Sequence, residues 1–243
     1  MTAIASPRSP RAIARLTGVL YLCIMVAAMF AEGFVRDRLI VSGDAAATVR
    51  NIAASEGLWR WGVAADIATT LCDIAVAALL YILLRPVSRT ASFTAAFFRL
   101  AYSAAMAASA ALLIAPLFLL ADAAGGSAPA AAQAQSLTAY SLRLHAAGFE
   151  VGLVLFGVHL LIVGGMIARS TFLPRLLGAM LAIAGVCYIA NSLIGIVAPP
   201  LSHGLFPWIL LPGFLAEGAL TLWLIVVGVN PQRWLAASGE VGT

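Results

Sequence analysis

Of 243 residues, 63% are hydrophobic and only 10% are charged, with a mean hydropathy of +1.02, against about 25% charged residues in an ordinary soluble domain. So few charges cannot cover the apolar exterior of a water-soluble fold this long, whereas lipid is itself an apolar solvent, so composition excludes a soluble globular domain. The net charge of +4 comes from 14 basic residues, all Arg, against ten acids spread along the chain, which argues against nucleic acid as a partner.

A bilayer-spanning helix needs about 20 mostly apolar residues, and six segments qualify: Leu16 to Val35, Leu58 to Leu84, Phe93 to Leu120, Leu144 to Ala168, Leu176 to Ala198 and Leu205 to Val229. Each must satisfy its own backbone hydrogen bonds in lipid, which a single segment does only as a helix. The fold class expected is therefore an all-α integral membrane bundle of six spans over residues 16–229. A tail of residues 1–15 precedes it and a tail of residues 230–243 follows. The first segment has the basic lead-in of a signal peptide in Arg8, Arg11 and Arg15, but it is span-length and lacks an A-x-A site, so it reads as a retained span.

With the N-terminus inside, the inner segments carry Arg8, Arg11, Arg15, Arg85, Arg89, Arg169, Arg175 and Arg233, with Glu240 their one acid. The outer loops carry Arg36, Arg38, Arg50, Arg60 and Arg143, offset by Asp37, Asp44, Glu56 and Asp122. The excess of Arg predicts both termini in the cytoplasm and a multi-pass protein of the inner (plasma) membrane.

In the first outer loop, Asp44 is placed to cap a short helix through Ser55, with Val49, Ile52 and Ala53 on one side, expected to lie on the outer bilayer surface. The second outer loop, Asp122 to Ser141, is rich in Ala, Gly and Ser and is expected to be mobile. Pro174 suits the start of span five, Pro199-Pro200 ends that span, and Pro212 is expected to bend or break span six one turn before Glu217. Cys23, Cys72 and Cys187 all lie in apolar segments at spacings that match neither a disulfide framework nor a zinc site.

The order of segments carries a resemblance. It runs through GDAAATVRNIAASEGLWRWGVAADIATTLCD at Gly43 to Asp73, LYILLRPVSRT at Leu80 to Thr90 and AAFFRL at Ala95 to Leu100. It continues through HAAGFEVGLVLFGVHL at His145 to Leu160 and FLPRLLG at Phe172 to Gly178. Together these resemble a bacterial family of six-span membrane proteins catalogued as a domain of unknown function (DUF4386-like). The resemblance covers nearly the whole chain and implies fold and membrane location. It implies no activity, cofactor or functional residue.

A charge near the bilayer centre costs about 2.5–3.5 kcal/mol on insertion scales, so such residues face the protein interior, pair, or mark a pathway. The chain has Glu32, Asp66, Asp73, Arg99, Glu150 and Glu217 in its spans, with His145, His159 and Asn191 beside them. Helical rise puts Asp73 about 16 Å, Arg99 roughly 9 Å and His159 roughly 14 Å from the same face, close enough to share one layer. An Asp73–Arg99 ion pair between successive spans is expected, with His159 in its layer. Glu32, Asp66, Glu150 and Asn191 lie within about 5–12 Å of the opposite face, with Glu217 deeper.

Two readings follow. In one, Asp73, Arg99 and His159 are a structural lock and the protein is a non-transporting scaffold that binds partners. In the other, Asp66, Glu150 and Glu217 remain as surplus acids and form the polar site of a small carrier or channel-like module, with a small cation or basic solute as cargo. The lipid bilayer is the one partner common to both. GVAADIATTL at Gly62 matches GFLAEGALTL at Gly213, which would set Asp66 over Glu217 if spans one–two and five–six are duplicated. Small residues from Ser103 to Ala111 and the Gly148–Gly152 GxxxG suit helix contact within the bundle or a homodimer.

His145 and His159, 14 residues apart on one helix face, would serve a haem only in such a homodimer, because the third histidine, His203, reads as loop. No nucleophile elbow, P-loop, HExxH or CxxC occurs. The sequence therefore implies no cofactor, no metal and no catalytic residue.

Overall fold

A computed structural model describes residues 9–123, 127–205 and 207–239. Arg8 in the leading tail, Gly125 and Gly126 between the third and fourth spans, and Glu240 lie outside the described residues. Among those described, every regular element is helical. Six helices are long and apolar enough to span a membrane: α1 (Pro10–Leu39), α3 (Glu56–Leu84), α4 (Arg89–Asp122), α5 (Pro129–Arg169), α6 (Arg175–Val197) and α8 (Trp208–Val226). Three short helices join or follow them: α2 (Ala45–Ala54), α7 (Pro199–Leu205) and α9 (Pro231–Ser238). The exterior is apolar: Trp61, Leu71, Leu176 and Val197 are each more than 60% exposed. That suits a lipid solvent.

The helices sort into two compact units. One draws on the chain up to Leu22, on Asp73–Leu100 and on the chain from Leu153; the other draws on Cys23–Cys72 and Ala101–Gly152. In the first, α9 is held by Trp234, whose indole N–H donates to the Leu83 carbonyl at 2.8 Å. In the second, Val35, Leu39, Ile52, Trp59, Val63 and Leu113 form the apolar core.

Local sequence explains most departures from plain helix. α4 loosens at Leu113–Ile114 because Pro116 has no N–H for the preceding turn. The released Leu113 carbonyl accepts the Trp59 indole N–H at 2.7 Å. In α1 the stretch Phe30–Arg36 is π-helical. Helix nevertheless continues to Leu39, so Arg36 stands within a span rather than in the outer loop where the sequence reading put it.

The short helix after Asp44 forms as expected: the Asp44 carboxylate accepts from the Ala47 N–H at 2.8 Å, and Ser55 ends it. The segment expected as a mobile loop from Asp122 to Ser141 does not. From Pro129 it is the start of α5, because its Ala and Gln residues are strong helix formers and the loop reading weighed composition over propensity. At 41 residues, α5 is about 60 Å long, roughly twice the hydrocarbon thickness. Pro212 bends no span either. It sits in the first turn of its helix, where the missing N–H costs nothing, preceded by a 3-10 turn at Trp208–Leu210. Pro199 opens α7, so His203 falls on a short helix and not in a loop.

Candidate functional site

The first unit buries a connected polar cluster. Arg99, six residues into the expected third span, is fully buried, and Asp73, His159 and Tyr21 beside it are at most 2% exposed. One guanidinium nitrogen, Nη2, donates to Asp73 Oδ1. The other, Nη1, donates to the Tyr21 hydroxyl and lies 3.2 Å from His159 Nε2. The cation also lies over two aromatic faces, 4.6 Å from the Tyr21 ring centroid and 5.2 Å from that of Phe156. A charge with a carboxylate, a phenol and two π-faces around it is tolerated away from water.

The partners of His159 fix its tautomer. Nδ1 is 2.9 Å from the Ala95 carbonyl, which only accepts, so Nδ1 carries the proton. Nε2 faces a guanidinium, which only donates, so Nε2 is the acceptor and the ring is neutral. With both nitrogens used inside the protein and the side chain 1% exposed, His159 does not fit an axial ligand of haem iron. His145 is also engaged, Nδ1 lying 3.1 Å from the Ser109 carbonyl.

Phe156 connects the cluster to Glu217. Its ring packs on His159 at 5.6 Å and on Tyr188 at 5.9 Å between centroids. The Tyr188 hydroxyl donates to Glu217 Oε1 at 2.8 Å. This approach needs Gly213, one turn before Glu217: a Cβ there would sit 2.2 Å from the Tyr188 hydroxyl. Glu217 is partly buried.

The second unit holds a separate ion-pair group. Arg36, 8% exposed, grips Asp66 with two parallel bonds, Nη1 to Oδ2 at 2.6 Å and Nη2 to Oδ1 at 3.1 Å, and donates from Nε to Glu32. A bidentate guanidinium–carboxylate pair is the strongest geometry such a pair adopts. Glu150 differs: its buried Oε2 has no hydrogen-bond partner among the described residues.

The structure thus brings Asp73, Arg99 and His159 together. Of the other expected site residues, Asp66 is paired with Arg36 and Glu217 accepts from Tyr188. The expectation that Asp66 is a surplus acid is corrected by the length of α1, which carries Arg36 into the helix beside it. Glu32 and Arg36, four apart with opposite charge, were the signal that helix continued past Val35. Tyr21, Phe156 and Tyr188 were not singled out in the sequence, where an aromatic in an apolar span reads only as lipid-facing bulk. The GxxxG of α5 makes a contact within the chain: a Cβ on Gly148 would lie 2.1 Å from the Ser109 hydroxyl. Among the described residues no three His, Cys, Asp or Glu side chains converge to hold a metal.

The family described as "Domain of unknown function (DUF4386)" matches residues 16–228, nearly the entire chain and all six spans. The chain belongs to this family. A relative from Archaeoglobus fulgidus, titled "Uncharacterized protein", is 28% identical over 158 residues, which is 65% of this chain and 78% of that protein. No solved structure matches. The six long apolar helices make this a multi-pass membrane protein, and neither the family's nor the relative's description attaches a reaction or cargo to the buried cluster.

Proposed function

We propose that this DUF4386 protein is a small carrier of the inner (plasma) membrane, with both termini in the cytoplasm, and that Glu217 is the carboxylate at which a proton or a small basic solute is taken up and released. One observation carries the reading: Glu217 stands inside a membrane span with an uncharged hydroxyl, and no cation, as its hydrogen-bond donor among the described residues. Asp73 takes the direct bond from Arg99, His159 is neutral by its hydrogen bonds, and Glu217 is left with one uncharged donor, the Tyr188 hydroxyl. An intramembrane acid without a cation of its own needs a proton or a bound cation for balance. Asp66 drops out of the transport site because Arg36 neutralises it, and the Asp73–Arg99 pair holds helices α3 and α4 together around the site.

The test is flux into proteoliposomes under an imposed proton gradient, with small cations and basic solutes offered in turn, wild type against Glu217→Gln and Tyr188→Phe. Gradient-driven movement that the Gln variant loses and the Phe variant alters supports the assignment. A proton leak or solute flux identical in wild type and Glu217→Gln would remove Glu217 from any pathway. It would leave the buried charges as packing devices of a partner-binding scaffold.

A further inference from the structure

We infer that the recess between the start of α1, the α5–α6 turn and the α8–α9 turn binds a phosphate-bearing anion. The recess, about 330 Å³, lies wholly within the first unit, and its charged lining consists of two arginines, Arg11 and Arg233. No carboxylate lines it. The two acids among the described residues of this unit, Asp73 and Glu217, are engaged with Arg99 and Tyr188. Two like charges therefore share one concave surface with no carboxylate among its lining, a field that favours an anion there.

The site is built. Gly228 turns the chain with φ +73, and a Cβ there would meet Arg11 Cγ at 3.2 Å, so the stem of Arg11 lies along this turn. The Trp223 indole N–H donates to the Gly228 carbonyl at 3.1 Å and closes it. On the other side, Asn230 caps α9 by accepting the Arg233 N–H at 3.0 Å, and Arg233 Nη1 donates to the Thr171 carbonyl at 3.2 Å. That bond orients Arg233 and leaves its other N–H groups available. Arg11 makes no side-chain hydrogen bond among the described residues, so its whole fork is available. Pro174, at the start of α6, also lines the recess and offers no side-chain acceptor to its own helix, so the positive end of the α6 dipole adds to the field.

Two guanidinium forks, an apolar floor of Phe172, Trp223 and Val227, and a helix amino end suit an oxyanion with several acceptor oxygens attached to an apolar body. A phospholipid headgroup and a free phosphate share that chemistry.

The experiment uses the full chain in nanodiscs of phosphatidylcholine with a minor fraction of phosphatidylglycerol. Native mass spectrometry counts the lipids that survive release from the disc. A parallel arm measures the melting temperature in detergent with and without inorganic phosphate. Wild type is compared with Arg11→Gln, with the Arg11→Gln/Arg233→Gln double variant, and with Arg143→Gln as a charge-matched control in the other unit. Preferential retention of phosphatidylglycerol that falls about tenfold in the double variant, and partly in Arg11→Gln, supports the site with a lipid as its occupant. Stabilisation of wild type by phosphate that both variants lose, without a lipid preference, supports it with a soluble anion. Retention and phosphate response in the double variant equal to those of wild type and Arg143→Gln would overturn it. So would the absence of both responses in wild type. Arg11→Gln removes no side-chain hydrogen bond among the described residues, so a folding defect confined to the double variant leaves the single variant to decide.

Discussion

The guanidinium of Arg99 donates to the carboxylate of Asp73, 26 positions earlier in the chain, at a place where neither side chain reaches solvent. Removing one member strands the other charge. Asp73→Asn and Arg99→Gln should each destabilise by about 3–5 kcal/mol, and the double variant should lose less than the sum of the two. Unfolding in mixed micelles followed by tryptophan fluorescence measures this cycle; additive losses would mean the pair does not couple.

Arg36 serves two carboxylates of different exposure, Asp66 at 19% and Glu32 at 63%. Glu32→Gln should cost at most about 1 kcal/mol, as exposed pairs do. Arg36→Gln, which leaves Asp66 without its bidentate partner, should cost roughly 2–4 kcal/mol. The same unfolding assay ranks them, and equal losses would contradict the geometry.

Gly164 and Gly165 are neighbours in α5 with opposite surroundings. A Cβ on Gly164 would meet the Gly178 carbonyl oxygen at 2.6 Å and the Ala182 nitrogen at 2.8 Å on α6, both rigid backbone, whereas a Cβ on Gly165 meets nothing within 4 Å. Gly164→Ala should therefore cost about 1–3 kcal/mol by overpacking. Gly165→Ala should be neutral or stabilising by up to about 1 kcal/mol through helix propensity. Melting temperatures of the two variants in one detergent separate the cases.

Trp234 anchors α9 through its bond to the Leu83 carbonyl. Trp234→Phe keeps an aromatic side chain but loses the indole N–H, at a cost of about 1–3 kcal/mol for the stranded buried carbonyl. Because α9 is short, the loss should appear first as local release. Limited proteolysis should cleave near residues 231–238 faster than in wild type while the six spans stay resistant.

What the sequence settled by itself was the solvent and the presence of six spans. Apolar runs of span length and a near absence of charge require helices in a bilayer, since no other single-segment structure satisfies its backbone there. The Asp44 cap was legible because a cap is a local hydrogen bond within one turn. Asp73 and Arg99 were legible as a pair because two opposite charges at similar depth in successive spans have few other partners in lipid. What needed the tertiary structure was everything that depends on azimuth and on helix length beyond the apolar run. The passage of α1 through Phe30–Arg36 to Leu39 moved Arg36 from a loop to Asp66. The meeting of Tyr188 with Glu217 past Gly213, and the closure of Arg99 by Tyr21 and Phe156, depend on which face each helix turns to its neighbour. In spans apolar all round, hydrophobic periodicity cannot mark that face; close packing of particular side chains decides it.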